Sequence, residues 1–115
     1  MINQFAVSVR KEADYAVVYT DGYVNNMGGE KIGEAAMALI AEDFKKLVIN
    51  MEKSTVINSI GISILIEVIE KIQEIEGSLV FCGLTKTIAK TFTIMGLAQF
   101  AQIADDEPAA VALLS

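Results

Sequence analysis

The chain has 115 residues, of which 53% are hydrophobic, with no histidine, no tryptophan, one cysteine and a formal charge of −6. That length and apolar content fit a single domain over residues 1–115 that buries its core without cross-links, and Cys82 by itself cannot form an internal disulfide. The missing histidine excludes Ser-His-Asp and Cys-His nucleophiles and any histidine-bearing zinc set, while nine Lys and Arg scattered among fifteen Asp and Glu offer no basic stripe to nucleic acid or to an anionic membrane.

The opening MINQFAVSVR lacks a basic region followed by an apolar run, so no signal peptide is expected. Phe5, Val7 and Val9 alternate with Ala6, Ser8 and Arg10, and the polar turn Lys11 to Asp14 leads into Tyr15 to Thr20, which predicts an N-terminal β-hairpin. Asp21-Gly22 and the cluster Asn25 to Gly29 read as turns bracketing Tyr23 and Val24. A helix is expected from Glu30, with Ile32, Ala35, Ala36, Leu39 and Ile40 on its apolar stripe and Gly33 weakening it. Leu47 to Ile49 reads as a strand buried on both faces, and Ser54 to Asn58 as a loop.

Asn58 or Ser59 is placed to cap a second helix, whose stripe is Ile62, Leu65, Ile66, Ile69 and Ile72 and whose Glu67 and Lys71 stand in the favourable i,i+4 order. Gly77 is placed to end it as a left-handed residue. Leu79 to Cys82 reads as a buried strand stopped by Gly83, and Ile88, Phe92 and Met95 mark a third helix ended by Gly96. Leu97 to Ala104 has room for a last short strand, and Asp105-Asp106-Glu107-Pro108 is an acidic helix start. The order β, β, α, β, α, β, α, β, α predicts an α/β fold: a mixed, largely parallel sheet with an N-terminal hairpin and about four helices. The longest uncharged stretches, Ser54 to Ile66 and Thr91 to Ala104, fall short of the ~20 apolar residues that span a bilayer, so a soluble, cytoplasmic protein is expected.

The segment Leu47 to Gly61 carries the most chemistry, because it sets a serine at the mouth of an amphipathic helix beyond the end of a buried strand. Ser59 reads either as an ordinary N-cap, which residue preference alone favours, or as a phosphate acceptor, since a helix N-terminus tolerates added negative charge. Gly61 leaves space beside Ser59 for a partner's backbone. Cys82 in its apolar strand reads as a small core residue, and Asp105 to Glu107 as a helix start rather than a cation site. Met27, a large apolar residue in a polar loop, is expected near a partner, and Gly28-Gly29 lacks the spacing of a nucleotide-binding turn. No catalytic residue, metal site or cofactor is expected.

Four stretches, taken in order, resemble one family: Tyr19 to Asn25, Leu47 to Gly61 with its Asn58-Ser59-Ile60-Gly61, Leu79 to Leu84, and Met95-Gly96-Leu97 followed by Ile103 and Pro108 to Val111. From Phe5 to Leu114 the chain resembles a STAS domain of the anti-sigma factor antagonist type. The resemblance implies a partner-switching regulator rather than an enzyme. The unphosphorylated protein would bind an anti-sigma factor that is also a serine protein kinase, phosphorylation of Ser59 would release it, and a serine phosphatase would restore it. The implied docking face comprises Gly22, Asn25, Met27, Ser54, Thr55, Asn58, Ser59, Ile60 and Gly61. The family commonly has Asp where this chain has Asn25, Asn50 and Asn58, so three negative charges are expected to be missing around that face. The alternative is a non-switching STAS scaffold or accessory subunit of a transporter or stress-signalling complex.

Overall fold

Alternating apolar residues in the first segments pair as a hairpin and start a five-stranded sheet. The structure, a computed structural model, describes residues 4–114. Strand β1 (Ala6–Lys11) runs antiparallel to β2 (Ala16–Asp21), with Ser8 opposite Tyr19. From there each strand lies beside its predecessor in parallel: β3 (Lys46–Lys53), β4 (Ser78–Cys82) and β5 (Gln102–Ala104), in the order β1-β2-β3-β4-β5. The crossovers are α1 (Asn26–Ala41), α2 (Ser59–Glu74) and α3 (Lys86–Ile94), and α4 (Glu107–Leu113) closes the chain. Because every crossover advances one strand in the same direction with the same hand, all three crossover helices fall on one face.

The strands' period of two then divides the core. Val18, Leu47, Ile49, Leu79 and Phe81 face α1, α2 and α3 and pack with Ile32, Leu39, Leu65, Ile69, Ile88 and Phe92. Val17, Val48, Val80 and Cys82 face the other way, where Ala110 of α4 and Leu114, its C-cap, cover them. The larger layer is thus made with three helices and the smaller with one short helix.

Several expectations are corrected. Helix α1 begins at Asn26 instead of Glu30, because Asn25 caps it: its Oδ1 accepts from the Gly28 amide at 3.0 Å. Gly28 and Gly29 are therefore first-turn helical residues, not a turn. Strand β3 runs on from the apolar Leu47 to Ile49 through Asn50 to Lys53, since Asn50 finds hydrogen-bond partners where it is buried. The left-handed residue after α2 is Glu76 (φ 58°), while Gly77 is needed because a β-carbon there would collide with the Lys45 carbonyl. Lys71 pairs with Glu74 at 3.6 Å and not with Glu67. Met95 follows α3 and is half-exposed rather than part of its buried stripe, and only Gln102–Ala104 of the last segment is strand, after a 3-10 turn at Leu97–Gln99.

Candidate docking site at two helix starts

Strands β2 and β3 end side by side, and each leads into a helix through the same local device. Asn25 and Asn58 both adopt extended backbone and both cap with Oδ1, onto the amides of Gly28 and Gly61 at 3.0 and 2.8 Å. An Asn cap satisfies an amide that the first helical turn would otherwise leave unpaired. The approaching segments are tied together: the Val24 amide donates to the Val56 carbonyl, the Asn58 amide donates to the Val24 carbonyl, and Val24 and Ile57 form a parallel bridge. Beneath them Gly61 lies against the Val24 carbonyl, and a β-carbon on Gly29 would reach within 3.3 Å of the Gly61 Cα. The glycines thus let the starts of α1 and α2 close on each other.

The surface above this junction is apolar around a hydroxyl. Ser59, the first residue of α2, is exposed, as are Asn26, the matching residue of α1, and Thr55. Around them stand Met27 (61% exposed), Val56 (54%), Ile60 (53%) and Tyr23 (47%). Neither α1 nor α2 has an acidic residue in its first turn, so the partial positive charge of each N-terminus meets no carboxylate from its own helix.

Of the residues expected at the face, Met27, Thr55, Ser59 and Ile60 present side chains, and Asn25 and Asn58 are half-buried caps. Gly22 is half-buried at φ +117°, against Phe5. Ser54 and Gly61 are corrected to supporting positions. Ser54 is fully buried, with Oγ 2.7 Å from Thr20 Oγ1, and this pair anchors the loop at the end of β3. Gly61 is buried, and the space it leaves is taken by the chain's own Val24 carbonyl rather than by a partner. Tyr23 falls within the segment Gly22 to Gly28 expected at the face, whereas sequence reasoning missed Val56, a large apolar side chain in a loop. Met27, expected in a loop, is the second residue of α1.

Asn50 is also corrected, because it is remote from Ser59 in orientation. It points to the α4 face, donates Nδ2–H to Glu107 Oε1 at 3.3 Å, and accepts from the Glu52 amide at 3.0 Å. An Asp there would oppose Glu107 with a like charge. Arg10 donates to both Glu107 Oε2 (2.7 Å) and the Tyr19 hydroxyl (2.9 Å). Partial burial pushes the Glu107 carboxyl up, but hydrogen bonds from Tyr19, Arg10 and Asn50 outweigh this and hold it below its ordinary value. Burial raises the Tyr19 hydroxyl, and it pushes the Cys82 thiol up to about 12, with Glu107, Asp106 and Glu52 adding to the rise. A buried thiol so protonated is a packing residue, as expected.

Asp106 caps α4 through the Ala109 amide at 3.0 Å, in agreement with a helix start. Among the described residues no group of three or more Cys, Asp or Glu side chains could hold a metal ion, and no helix is long and apolar enough to cross a membrane.

A largely parallel sheet with three helices on one face and one on the other, and a serine among apolar side chains where two helix starts meet, defines a small α/β module. The STAS domain matches residues 6–110, and the chain belongs to that family. It is 24% identical over 91 residues to BtrV of Bordetella bronchiseptica, a protein assigned as an anti-sigma factor antagonist, covering 79% of this chain and 78% of that one. The crystal structure of an anti-sigma factor antagonist from Mycobacterium paratuberculosis superposes with a TM-score of 0.85 at 18% identity, over 96% of this chain and 94% of that one. The phosphorylated form of the Bacillus cell fate determinant SpoIIAA superposes with a TM-score of 0.73 at 17% identity, over 94% and 99% of the two chains.

Proposed function

We propose that this protein is an anti-sigma factor antagonist that works by partner switching in the cytoplasm. It binds a cognate anti-sigma factor with serine kinase activity through the surface around Ser59, is phosphorylated there, and is returned to the binding state by a serine phosphatase. It is a substrate and not an enzyme. The observation that carries the reading is the exposed Ser59 hydroxyl in the first turn of α2, ringed by Met27, Val56, Ile60 and Tyr23. An apolar surface of this kind favours a desolvated protein contact, and a phosphate adds a charge of roughly −1.5 to −2 at its centre. The helix N-terminus accommodates that charge without rearrangement, so release follows from the cost of burying it against the partner.

Incubation with a cognate anti-sigma serine kinase and ATP, followed by intact-mass measurement, tests the assignment. One phosphate on the protein and none on Ser59→Ala is the expected result; equal uptake by both, or none by either, overturns it. Ser59→Asp should weaken kinase binding in calorimetry by about tenfold or more while Ser59→Ala changes it little, because only the former adds charge at the contact.

A second reading, a non-switching STAS subunit of a transporter or stress-signalling complex, is favoured by a separate observation: Ile94, Met95, Phe100 and Leu113 are also exposed, at 73, 51, 59 and 44%. Co-purification with a transporter ATPase or a large assembly, with no phosphate on Ser59, would support it.

A further inference from the structure

The two faces of the sheet are covered unequally. On the face opposite α1, α2 and α3, helix α4 packs over β3, β4 and β5 and shares its buried layer with Val17 of β2, so β1 at the edge of the sheet has no helix packed over it. Between that bare part and the start of α4 lies a groove of about 750 Å3, a size typical of ligand clefts. Tyr19, Asn50 and Cys82 line it from three adjacent strands, at the carboxyl ends where parallel sheets present their sites.

Two kinds of unmet bonding capacity converge there. Asn50, nine-tenths buried, uses one amide N–H on Glu107, and its second N–H has no acceptor among the described residues. Five carboxylates line the groove against Lys53 as the one cation in the lining. Two of the five are engaged, Asp106 as the α4 cap and Glu107 with Arg10, whereas Asp21, Glu52 and Asp105 make no ion pair among the described residues. The outer side of β1, the edge strand, adds backbone groups without a strand partner.

We propose that this groove docks an extended segment of a partner protein that carries arginine or lysine. The three unpaired carboxylates select the basic side chain, the apolar groove wall accepts its neighbours, and the Asn50 N–H and the β1 edge take main-chain carbonyls, which a free polyamine cannot offer. Phosphates and nucleic acid are repelled by the same charges. The groove lining includes none of Met27, Thr55, Ser59 and Ile60, although Asp21 and Lys53 adjoin Gly22 and Ser54.

The probe is the acetylated, amidated peptide Val-Arg-Val-Arg-Val, titrated into the isotope-labelled protein while backbone amide shifts are followed. Shifts should concentrate at Ser8, Asp21, Gly83 and Asp105. The dissociation constant should rise about tenfold or more in the triple variant Asp21→Asn, Glu52→Gln, Asp105→Asn, and stay within about twofold in Glu67→Gln, Glu70→Gln on α2. The peptide with citrulline in place of arginine, which needs no protein variant, should not bind. Shifts centred on the acidic surface of α1 and α2, undiminished binding of the citrulline peptide, or no shift at all would overturn the proposal. Spermidine matching the peptide in position and affinity would overturn it in favour of a free cation.

Discussion

A β-carbon on Gly61 would collide with the Val24 carbonyl oxygen, a backbone atom that also accepts the Asn58 amide and so cannot swing aside. Gly61→Ala therefore forces the two helix starts apart and should cost about 2 to 3 kcal/mol in denaturant unfolding. Gly33→Ala is the contrast, since its β-carbon would meet only Ile64 Cγ2 at an ordinary 3.4 Å, and relief of the helical glycine should stabilise the protein by about 0.5 kcal/mol. Equal effects of the two would show that the junction is not tightly closed. At the neighbouring cap, Asn58→Ala should lose about 1 kcal/mol while Asn58→Asp loses little, because either Oδ1 can accept the Gly61 amide. The cap of α2 was legible only to within one residue, as Asn58 or Ser59; the structure gives it to Asn58 and makes Ser59 the first helical residue, not the N-cap that residue preference alone favours. The Asn25 cap was hidden behind Gly28-Gly29, whose lack of a β-carbon serves a tertiary approach that no local pattern records.

Elements are where long-range pairing decides what a sequence can show. Arg10 and Glu107 are separated by almost the whole chain, so the hairpin and the acidic helix start were each readable while their meeting was not. That meeting secures α4 at the edge of its layer. Glu107 is held below its ordinary value, so it binds fewer protons in the folded state than in the unfolded chain. Its contribution to stability is therefore complete above the ordinary carboxylate range of about 4.3 and is lost as pH falls below that range towards the folded value. Glu107→Gln should reduce the loss of stability between neutral and acid pH, and should cost about 1 kcal/mol at neutral pH, a figure kept small because Arg10 is partly exposed. Urea unfolding of both proteins across that pH range measures it, and parallel curves would place the acid sensitivity in other carboxylates. The strand β3 gives the same lesson. Its apolar centre was readable, but its extension through Asn50 depends on Glu107, which arrives more than fifty residues later.

Across the molecule, the fold class was legible because each element carries its own period and the crossover rule leaves few ways to assemble them. What the sequence could not show is how unevenly the sheet is covered. Apolar runs such as Leu47 to Ile49 look alike on both faces, yet Leu47 and Ile49 meet three helices while Val48 meets one helix of seven residues. The burial behind each layer differs accordingly, and with it the free energy needed to open each layer. Native-state hydrogen exchange should therefore separate them. Amides of β3 and β4 should open only with global unfolding, whereas those of Val111 and Leu114, in and just after α4, should open through a local event at least ~2 kcal/mol cheaper. Releasing α4 uncovers Val17, Val48 and Val80 but leaves the α1–α2–α3 layer and the surface around Ser59 intact, so this opening should be insensitive to Ser59→Asp and should become easier in Glu107→Gln. Exchange of α4 at the same free energy as β3 would mean that both layers form one cooperative unit, and the thin layer would then be no weaker than the thick one.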